Sequence, residues 1–231
     1  PDVIIASSVH PLACVAGIKL ARKFKVPCIT EIRDLWPESI VAYNVTTSKN
    51  LFIKGLYRLE KWIYTKADAI IFTMGGGKDY IREKRWDTAN GGRINLNKIY
   101  YINNGVDLES FDKNKSEYQI SDEDLENEEI IKVVYVGSIR HANNVGVLLD
   151  IAKEVDSSIK FLIWGDGDEA DYLKGRVLKE HIKNVVFKGK VKKKYIPYIV
   201  TKADVNMMDL SVINDILRFG ISPNKLFDYF A

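Results

Sequence analysis

The sequence predicts an α/β protein built from two doubly wound domains with parallel sheets, and three observations lead to this fold class. Short apolar runs alternate with segments of helical periodicity, which is the order of βαβ units. An acidic stretch, SDEDLENEE at 121–129, interrupts that alternation near the middle of the chain. The tetrapeptide TKAD occurs at 65–68 and again at 201–204, each time directly before an apolar run. We therefore expect two similar halves.

The first half contains four apolar runs beside turn residues, as expected for strands that are buried on both faces. These predicted strands are 3–7, 27–33, 69–74 and 99–102. Helices are predicted at 12–24 and 51–66, and apolar residues recur at helical spacing in the second of them. The first domain is therefore assigned to residues 1–110.

The pattern restarts after the acidic stretch. The predicted strands are 131–137, 160–164, 185–187 and 204–208, and the helices between them are 145–155, 169–181 and one shortly before 204. Acidic side chains without a core position indicate a linker or a surface excursion. We therefore predict an acidic linker at 111–130 and a second domain at 131–231.

Composition excludes several classes of protein. The 231 residues are 46% hydrophobic with a net charge of +3, which is too mild to indicate nucleic-acid binding, and the lysines of 188–194 fit a solvated face. Cys14 and Cys28 form neither a disulfide framework nor a zinc pattern, so a reducing compartment is expected. No apolar run approaches the roughly 18 residues of a membrane span, and the start lacks a signal peptide. The predicted location is cytoplasmic.

Ligand-binding residues are expected in loops that leave the carboxyl ends of the predicted strands. GSIRHANN follows strand 131–137, where Gly137 permits close backbone approach and Arg140 is able to make a forked contact with a phosphate. The alternative is an ordinary surface arginine near a turn. GDGDE follows strand 160–164, and its acids would repel an anion. The segment therefore suits contact with a nucleobase or a wall of the site. The alternative is that it forms only a tight turn.

Other catalytic patterns are missing from the sequence. Residues 75–78 read GGGK without the spacing of a P-loop, no GxSxG elbow occurs, and the three histidines lack metal spacing. The last segment, GISPNKLFDYFA, predicts a helix that opens at Ser222-Pro223, with Lys225 and Asp228 one turn apart. An amphipathic helix with its apolar residues buried explains that segment equally well.

Five motifs, taken in order and spacing, resemble one family. They are EIRDLWPES at 31–39, INNGVD at 102–107, VVYVGSI at 133–139, WGDGDE at 164–169 and SPNKLFDYFA at 222–231. Together they resemble retaining glycosyltransferases of family four, which have the GT-B fold. Within that family they resemble the subgroup that builds the repeat units of capsule, O-antigen and exopolysaccharide. The resemblance implies two Rossmann-like domains facing a cleft, with the acceptor side first and the nucleotide-sugar side second. It also implies an internal fragment with both domains incomplete, which we expect to be inactive alone.

The resemblance also implies roles for individual residues. Arg140 and Lys225 would stabilise the departing diphosphate, and Arg33 with Asp34 would orient the acceptor or sugar hydroxyls. Asp228 would bind the ribose hydroxyls. The implied donor-binding set is Gly137, Asn143, Gly165, Asp166, Gly167, Ser222, Asn224 and Asp228. Two departures from the family pattern stand out: Gly220 replaces an acid, and Asn143 with Asn144 occupies the usual lysine region.

The implied reaction moves a hexosyl or N-acetylhexosaminyl group from a nucleotide-diphosphate donor, expected to be a UDP-sugar, to a lipid-linked or saccharide acceptor. Neither a cofactor nor a metal is expected. Peripheral contact with the inner face of the membrane would suit a lipid-linked acceptor, and residues 51–66 carry aromatic and lysine side chains for it, although core packing also explains that helix. The alternatives are a nucleotide-sugar epimerase of the same fold and a non-catalytic nucleotide-sugar-binding subunit.

Overall fold

The computed structural model describes residues 1–8, 10–42, 47–210 and 214–231, the side chains of residues 214 and 215 excepted. The chain forms two compact units. The first contains Pro1–Asn104 and Ile213–Ser222, and the second contains Gly105–Val212 and Pro223–Ala231. The predicted division at 110 and 131 differs from these units, because residues 111–130 fold with the second unit and a short segment before Pro223 folds with the first.

The first unit is built on a four-stranded parallel sheet. Its strands are β1 (Ile4–Ser7), β2 (Cys28–Ile32), β3 (Ala69–Phe72) and β4 (Ile99–Tyr101), in the spatial order β1-β2-β3-β4. Ile4 pairs with Cys28, Ile29 with Ala69 and Ile70 with Ile99. These strands match the four apolar runs of the first half to within two residues at each end.

The described part of the first unit has five helices, and the two longest of them begin at side-chain caps. They are α1 (Pro11–Phe24), α2 (Glu38–Ala42), α3 (Leu51–Lys66), α4 (Gly77–Glu83) and, later in the chain, α10 (Asn214–Leu217). The His10 side chain accepts a hydrogen bond from the Leu12 amide, and Lys25 ends α1 with a φ of 57°. The Asn50 side chain caps α3 through the Phe52 amide at 2.8 Å.

The first core lies between the sheet and the helices α1 and α3. Alternate residues of β2 are buried, namely Cys28, Thr30 and Ile32, as expected for a strand whose successive side chains point to opposite faces. Both cysteines of the chain, Cys14 and Cys28, are free and lie in this core. One carboxyl group, Glu60 of α3, is also buried there and accepts hydrogen bonds from the hydroxyls of two tyrosines.

The second unit repeats the architecture with a different strand order. Its strands are β5 (Ile131–Val136), β6 (Ile159–Trp164), β7 (Val185–Gly189) and β8 (Val205–Asn206), all parallel, in the order β7-β6-β5-β8. Its helices are α5 (Leu108–Glu117), α6 (Glu123–Glu126), α7 (Gly146–Glu154), α8 (Ala170–Lys179), α9 (Ile196–Thr201) and α11 (Asn224–Phe230). The connection from β7 to β8 crosses back over the sheet and places the last strand beside β5, the first strand of this unit, as in doubly wound sheets.

The acidic segment is not a free linker in this structure. It forms α6, and Leu125 packs into the second core with 1% of its surface exposed. The Lys188 ammonium lies 2.7 Å from carboxylate oxygens of both Asp122 and Asp124, and Lys160 contacts Asp124 at 2.6 Å. The acids are therefore paired with lysines that project from neighbouring strands, which the local sequence does not reveal.

The two TKAD segments have the same structural role. The Asp68 carboxylate accepts a hydrogen bond from the Cys28 amide at 2.7 Å, and the Asp204 carboxylate accepts one from the Lys132 amide at 2.7 Å. In both units, the aspartate after a helix thus binds the start of the neighbouring strand. Among the described residues, no helix has the length and apolar character needed to cross a membrane.

Candidate functional site

Glycines bring three loops of the second unit close together at the carboxyl edge of its sheet. The Gly137 amide donates to the Trp164 carbonyl at 3.0 Å, and the Gly165 amide donates to the Gly189 carbonyl at 2.8 Å. A Cβ atom on Gly165 would lie 1.8 Å from the Gly137 carbonyl oxygen, and one on Gly167 would lie 2.1 Å from that of Ile139. The loops after β5, β6 and β7 therefore line one edge at backbone contact distance.

Lys225 of α11 points into this edge. Its ammonium donates to the Tyr135 hydroxyl at 3.0 Å and to the Asn143 side-chain oxygen at 3.3 Å, and it lies 4.4 Å from the centre of the Tyr135 ring. Gly137 leaves room for this side chain, because a Cβ atom there would lie 3.0 Å from the ammonium nitrogen. No carboxylate of the described residues forms an ion pair with it. Burial lowers the pKa of Lys225 to about 8.

Tyr229 fixes α11 against the sheet. Its hydroxyl accepts a hydrogen bond from the Val136 amide at 3.2 Å and donates to the Met207 carbonyl at 3.3 Å. Val136 is the last residue of β5, and Met207 directly follows β8. The position of Lys225, one helical turn before Tyr229, is thereby set by the sheet itself.

The loop after β5 carries Arg140 and Asn143 at the start and end of a single turn of 3-10 helix (His141–Asn143). The Asn143 side chain donates to the carbonyl and hydroxyl oxygens of Ser138, both at 2.9 Å, which turns its own oxygen toward Lys225. Arg140 is exposed, and its carbonyl accepts a hydrogen bond from the Asn143 amide at 2.8 Å, whereas its side chain makes no hydrogen bond or ion pair with any residue that the structure describes. Its guanidinium is thus available to an external anion.

The GDGD turn after β6 is less repulsive to anions than its sequence indicates. The Lys190 ammonium lies 3.0 Å from the Asp166 carboxylate, and the Gly167 amide donates to the same carboxylate at 2.8 Å. The contact with Lys190 holds the pKa of Asp166 below its usual range. The negative charge of Asp166 is therefore offset by a neighbour from the loop after β7.

Asp228 and Asn224 line a cavity of about 500 Å³ in the second unit. The other polar residues of its wall are Asp107, Ser110, Asn114, Lys193 and Lys194. Burial raises the pKa of Asp228, and the positive charge of Lys193 opposes that shift. A half-buried carboxylate beside an amide side chain is a suitable acceptor for a vicinal diol.

Three candidate site residues belong to the first unit, namely Arg33, Asp34 and Ser222. Arg33 and Asp34 follow β2 and are both exposed, and the Arg33 amide donates to the Ser8 hydroxyl at 3.0 Å. Ser222 belongs to this unit as well: its hydroxyl contacts the Asn103 side chain and accepts from the Asn104 amide at 3.1 Å.

The predicted cap of the last helix is therefore wrong in detail. Pro223 is the N-cap of α11, no side chain caps the helix, and the first helical residue is Asn224. The Ser222 hydroxyl instead forms hydrogen bonds with Asn103 and Asn104 of the NNGVD motif. Ser222 does not cap the helix, because its hydroxyl bonds to these asparagines instead. Its role in donor binding stays a prediction.

Sequence reasoning missed Tyr135 and Lys193 as site residues. A signal for Tyr135 was present, since it is the one hydroxyl-bearing residue in the apolar strand KVVYVG. The sequence places Lys193 in a lysine tract that fits a solvated face, and only the fold places it in the wall that contains Asp228. Among the described residues, no group of three or more His, Cys, Asp or Glu side chains is arranged to hold a metal ion.

Comparison with known proteins agrees with this architecture. Residues 117–216 match the family model "Glycosyl transferases group 1". No curated protein matches the chain by sequence. Anabaena Alr3699/HepE, solved in complex with UDP, is similar in structure with a TM-score of 0.65 and 17% identity over 91% of this chain and 54% of that protein.

Two further solved structures are similar in fold. The lipopolysaccharide outer core galactosyltransferase WaaB aligns with a TM-score of 0.54 and 16% identity, over 96% of this chain and 55% of WaaB. WaaG, a glycosyltransferase involved in lipopolysaccharide biosynthesis, aligns with a TM-score of 0.59 and 9% identity, over 89% of this chain and 60% of WaaG. The chain spans about half the length of these proteins.

The predicted fold class is confirmed by the two parallel sheets and by these neighbours, which are GT-B glycosyltransferases. At such low identity the likeness concerns the fold, and the family match covers less than half of the chain. The chain therefore carries two Rossmann-like α/β units of the GT-B fold, with a match to the group 1 glycosyl transferases over residues 117–216.

Proposed function

We propose that the protein is a retaining glycosyltransferase of family four that moves a sugar from a nucleotide-diphosphate donor, a UDP-sugar, to a lipid-linked or saccharide acceptor in surface-polysaccharide synthesis. The group 1 match and the fold support glycosyl transfer. The complexes of the Anabaena neighbour with UDP and with UDP-glucose support the donor class. The five sequence motifs support the family and the polysaccharide subgroup.

The observation that carries this proposal is the half-buried ammonium of Lys225. A buried cation without a carboxylate partner is costly, and an anionic ligand would offset that cost. Tyr135 and Asn143 supply only neutral oxygens, so they orient the ammonium without neutralising it. The glycines after β5 and β6 let these loops pack at backbone contact distance, and Gly137 leaves room for the Lys225 side chain. These features suit a diphosphate group.

The remaining residues of the second unit extend the donor site around that diphosphate. Arg140, exposed in the loop after β5, would make a forked contact with a phosphate oxygen. Asp228 would accept hydrogen bonds from the ribose hydroxyls beside Asn224. The turn from Gly165 to Gly167, with the loop after Gly189, would line the nucleobase.

The proposed mechanism depends on charge stabilisation at the leaving group. As the bond between the sugar and the diphosphate breaks, negative charge develops on the phosphate oxygen next to Arg140 and Lys225, and their preorganised charges stabilise it more than the ground state. The acceptor oxygen forms the new glycosidic bond on the face that the diphosphate leaves, and its proton passes to the departing phosphate oxygen, so the anomeric configuration is retained. We assign no protein nucleophile.

The first unit would handle the acceptor. Arg33 and Asp34 are exposed side by side after β2, where a guanidinium and a carboxylate are able to bind sugar hydroxyls. A lipid-linked acceptor requires that the protein contact a membrane. We place this contact at the inner face of the membrane. The glycine at position 220, where the family has an acid, favours the alternative of a non-catalytic nucleotide-sugar-binding subunit.

One assay separates the proposed function from its alternatives. Full-length protein is incubated with UDP-glucose, UDP-galactose or their N-acetyl forms, with and without a lipid-linked saccharide acceptor, and UDP release and the donor sugar are followed. A glycosyltransferase releases one UDP for each acceptor that is glycosylated. NMR of the product shows whether the anomeric configuration of the transferred sugar is retained. An epimerase changes the donor sugar without acceptor. UDP binding in calorimetry without any turnover indicates the binding subunit and contradicts the proposal.

A further inference from the structure

Asp209 lies at the carboxyl edge of the second sheet, beside the candidate donor site. β8 pairs in parallel with β5, and the Met207 amide donates to the Val134 carbonyl at 2.8 Å, so the chain after β8 continues along the end of β5. Asp209 follows two residues later. The chain after β8 therefore reaches the same edge as the loops after β5, β6 and β7, which is where ligands bind in such sheets.

The carboxylate of Asp209 is held by neutral partners. Its Oδ2 accepts a hydrogen bond from the Asn144 side-chain amide at 2.7 Å, and its Oδ1 accepts one from the Leu210 backbone amide at 2.8 Å. No lysine or arginine of the described residues forms an ion pair with it. Asp209 is half-buried, and each oxygen of a carboxylate is able to accept a second hydrogen bond. The carboxylate is thus oriented while part of its acceptor capacity is unused.

Asn144 connects Asp209 to the residues proposed to bind the diphosphate. It directly follows Asn143, whose side-chain oxygen accepts a hydrogen bond from the Lys225 ammonium at 3.3 Å. Asn144 ends the 3-10 turn with a φ of 42°, in the left-handed region that asparagine adopts more readily than most residues. One asparagine therefore contacts the proposed phosphate-binding cation, and the next contacts Asp209.

The strand order indicates which part of a donor lies near Asp209. The order along the edge is β7-β6-β5-β8. In the proposed function, the loops after β7 and β6 line the nucleobase, and the loop after β5 binds the diphosphate. The segment after β8 comes next in this order, as the sugar comes next to the diphosphate in the donor. A carboxylate repels phosphate but accepts hydrogen bonds from sugar hydroxyls.

We propose that Asp209 binds hydroxyl groups of the donor sugar and thereby selects the sugar that the protein accepts. This inference rests on the proposed function, which gives Asp209 no role. Hydrogen bonds from hydroxyls to an ionised carboxylate are stronger than those between neutral groups. The substrate class is a nucleotide hexose with two neighbouring free hydroxyls. A deoxy sugar is disfavoured, because it leaves the half-buried carboxylate without its partner.

Two other roles fit these contacts less well. A metal site needs further ligands, and no group of three or more His, Cys, Asp or Glu side chains among the described residues is arranged to hold an ion. A residue that only anchors the loop after β5 through Asn144 does not need a charge, since a neutral oxygen also accepts that hydrogen bond. The charge of Asp209 is explained by a ligand that donates hydrogen bonds.

The test is calorimetry on full-length protein with UDP and with one UDP-sugar. That sugar is the one that wild type binds most tightly among UDP-glucose, UDP-galactose and their N-acetyl forms. Asp209→Asn removes the charge but still accepts the hydrogen bond from Asn144. We expect it to bind the UDP-sugar about tenfold or more weakly, whereas its affinity for UDP, which also reports an intact fold, does not fall. The control, Asp171→Asn, changes an exposed acid of α8 and leaves both affinities unchanged.

Deoxyfluoro analogues of the same donor, each lacking one hydroxyl, test for direct contact. Wild type should bind at least one of them about tenfold more weakly than the parent donor. Asp209→Asn should bind that analogue and the parent donor alike, because the contact is already lost. Additive losses in the variant and the analogue, for every hydroxyl, overturn the proposal.

A second variant separates sugar binding from loop anchoring. Asn144→Gly removes the side-chain amide and keeps the left-handed backbone conformation, which glycine adopts freely. We expect a smaller loss of UDP-sugar affinity than in Asp209→Asn, because the carboxylate remains. A loss in Asn144→Gly at least as large as in Asp209→Asn overturns the proposal in favour of anchoring, and wild-type affinities in Asp209→Asn overturn it outright. Binding without sugar transfer contradicts the proposed reaction but not the role of Asp209.

Discussion

The ammonium nitrogen of Lys225 lies 3.0 Å from the hydroxyl oxygen of Tyr135, although the two residues are 90 positions apart in the sequence. The Tyr135 hydroxyl in turn donates to the Ser138 carbonyl at 2.7 Å, so its lone pairs face the ammonium. This pair joins the last helix to the strand whose loop carries Arg140. The charge of Lys225 is thereby held in place before any ligand binds.

UDP affinity should depend on pH through Lys225. Burial lowers the pKa of this lysine to about 8, so the free protein loses the positive charge as pH rises through 8. We expect the affinity to fall by up to about tenfold per pH unit above that value, because only the charged lysine binds the anion strongly. Calorimetry with UDP between pH 7 and pH 9.5 measures this fall.

The matched variant for this experiment is Lys225→Arg, which stays charged throughout the range and should give a nearly flat profile. Lys225→Met should bind UDP weakly at every pH. The free Lys225→Met protein should also be more stable than wild type at pH 7, since it removes a buried charge. A wild-type profile as flat as that of Lys225→Arg would exclude Lys225 from the diphosphate site.

Arg140 tests the proposed mechanism. Because its guanidinium is exposed and unpaired among the described residues, Arg140→Ala should leave the fold intact while lowering kcat about 100-fold or more. Arg140→Lys should recover part of the rate, since it keeps the charge without the planar fork. Arg93→Ala, at an exposed arginine of the first unit, is the control. Near-normal kcat in Arg140→Ala at saturating donor would assign the phosphate contact to Lys225 instead.

Asp228 tests ribose recognition. Asp228→Ala should weaken UDP binding by roughly 1 to 3 kcal/mol, because it leaves two ribose hydroxyls without an acceptor. The same variant should bind inorganic pyrophosphate as wild type does, since the carboxylate does not contact phosphate. Asp171→Ala, at an exposed acid of the second unit outside the cavity, serves as control. Equal losses for UDP and pyrophosphate would argue against a ribose contact.

Gly165 tests the close approach of the loops. Gly165→Ala would place a Cβ atom 1.8 Å from the Gly137 carbonyl oxygen, so the backbone must move and we expect a loss of stability of about 2 kcal/mol or more. UDP binding should be lost as well. Gly175→Ala is the control, because a Cβ atom there would meet no other atom within 4 Å and alanine favours the helix by up to about 1 kcal/mol. Chemical denaturation of both variants measures the contrast.

Glu60 should make the first unit less stable as pH rises. Burial raises the pKa of Glu60 to about 8, above the value of about 4.3 expected in the unfolded chain. Its stabilising contribution is complete below pH 4 and is lost as pH rises toward 8, at up to about 1.4 kcal/mol per pH unit. Tyr64, Tyr80, Lys84 and Glu38 face this carboxyl and belong to the same titration.

The variant for that prediction is Glu60→Gln, which keeps a neutral hydrogen-bonding side chain. Its unfolding free energy should vary less between pH 5 and pH 8 than that of wild type, as measured by urea denaturation at each pH. Glu83→Gln, at an exposed acid, is the control and should retain the wild-type dependence. Identical pH dependence in wild type and Glu60→Gln would show that Glu60 is charged throughout this range.

The sequence alone determined the alternation of strands and helices in both units. Apolar runs such as 131–137 and 160–164 are local signals, because a strand buried on both faces needs continuous apolar residues wherever it lies in the fold. The TKAD repeat was also informative. Asp68 and Asp204 act on neighbouring strands in the same way, so the four shared residues reflect a shared helix-to-strand junction.

Only the tertiary structure decided which charged residues are paired. Asp122 and Asp124 look like linker acids until Lys160 and Lys188 reach them from β6 and β7, and Asp166 looks repulsive until Lys190 offsets it. Lys225, by contrast, is left without a carboxylate partner among the described residues. Ion pairing depends on distances of a few ångströms between residues far apart in the chain, and local sequence patterns do not contain those distances.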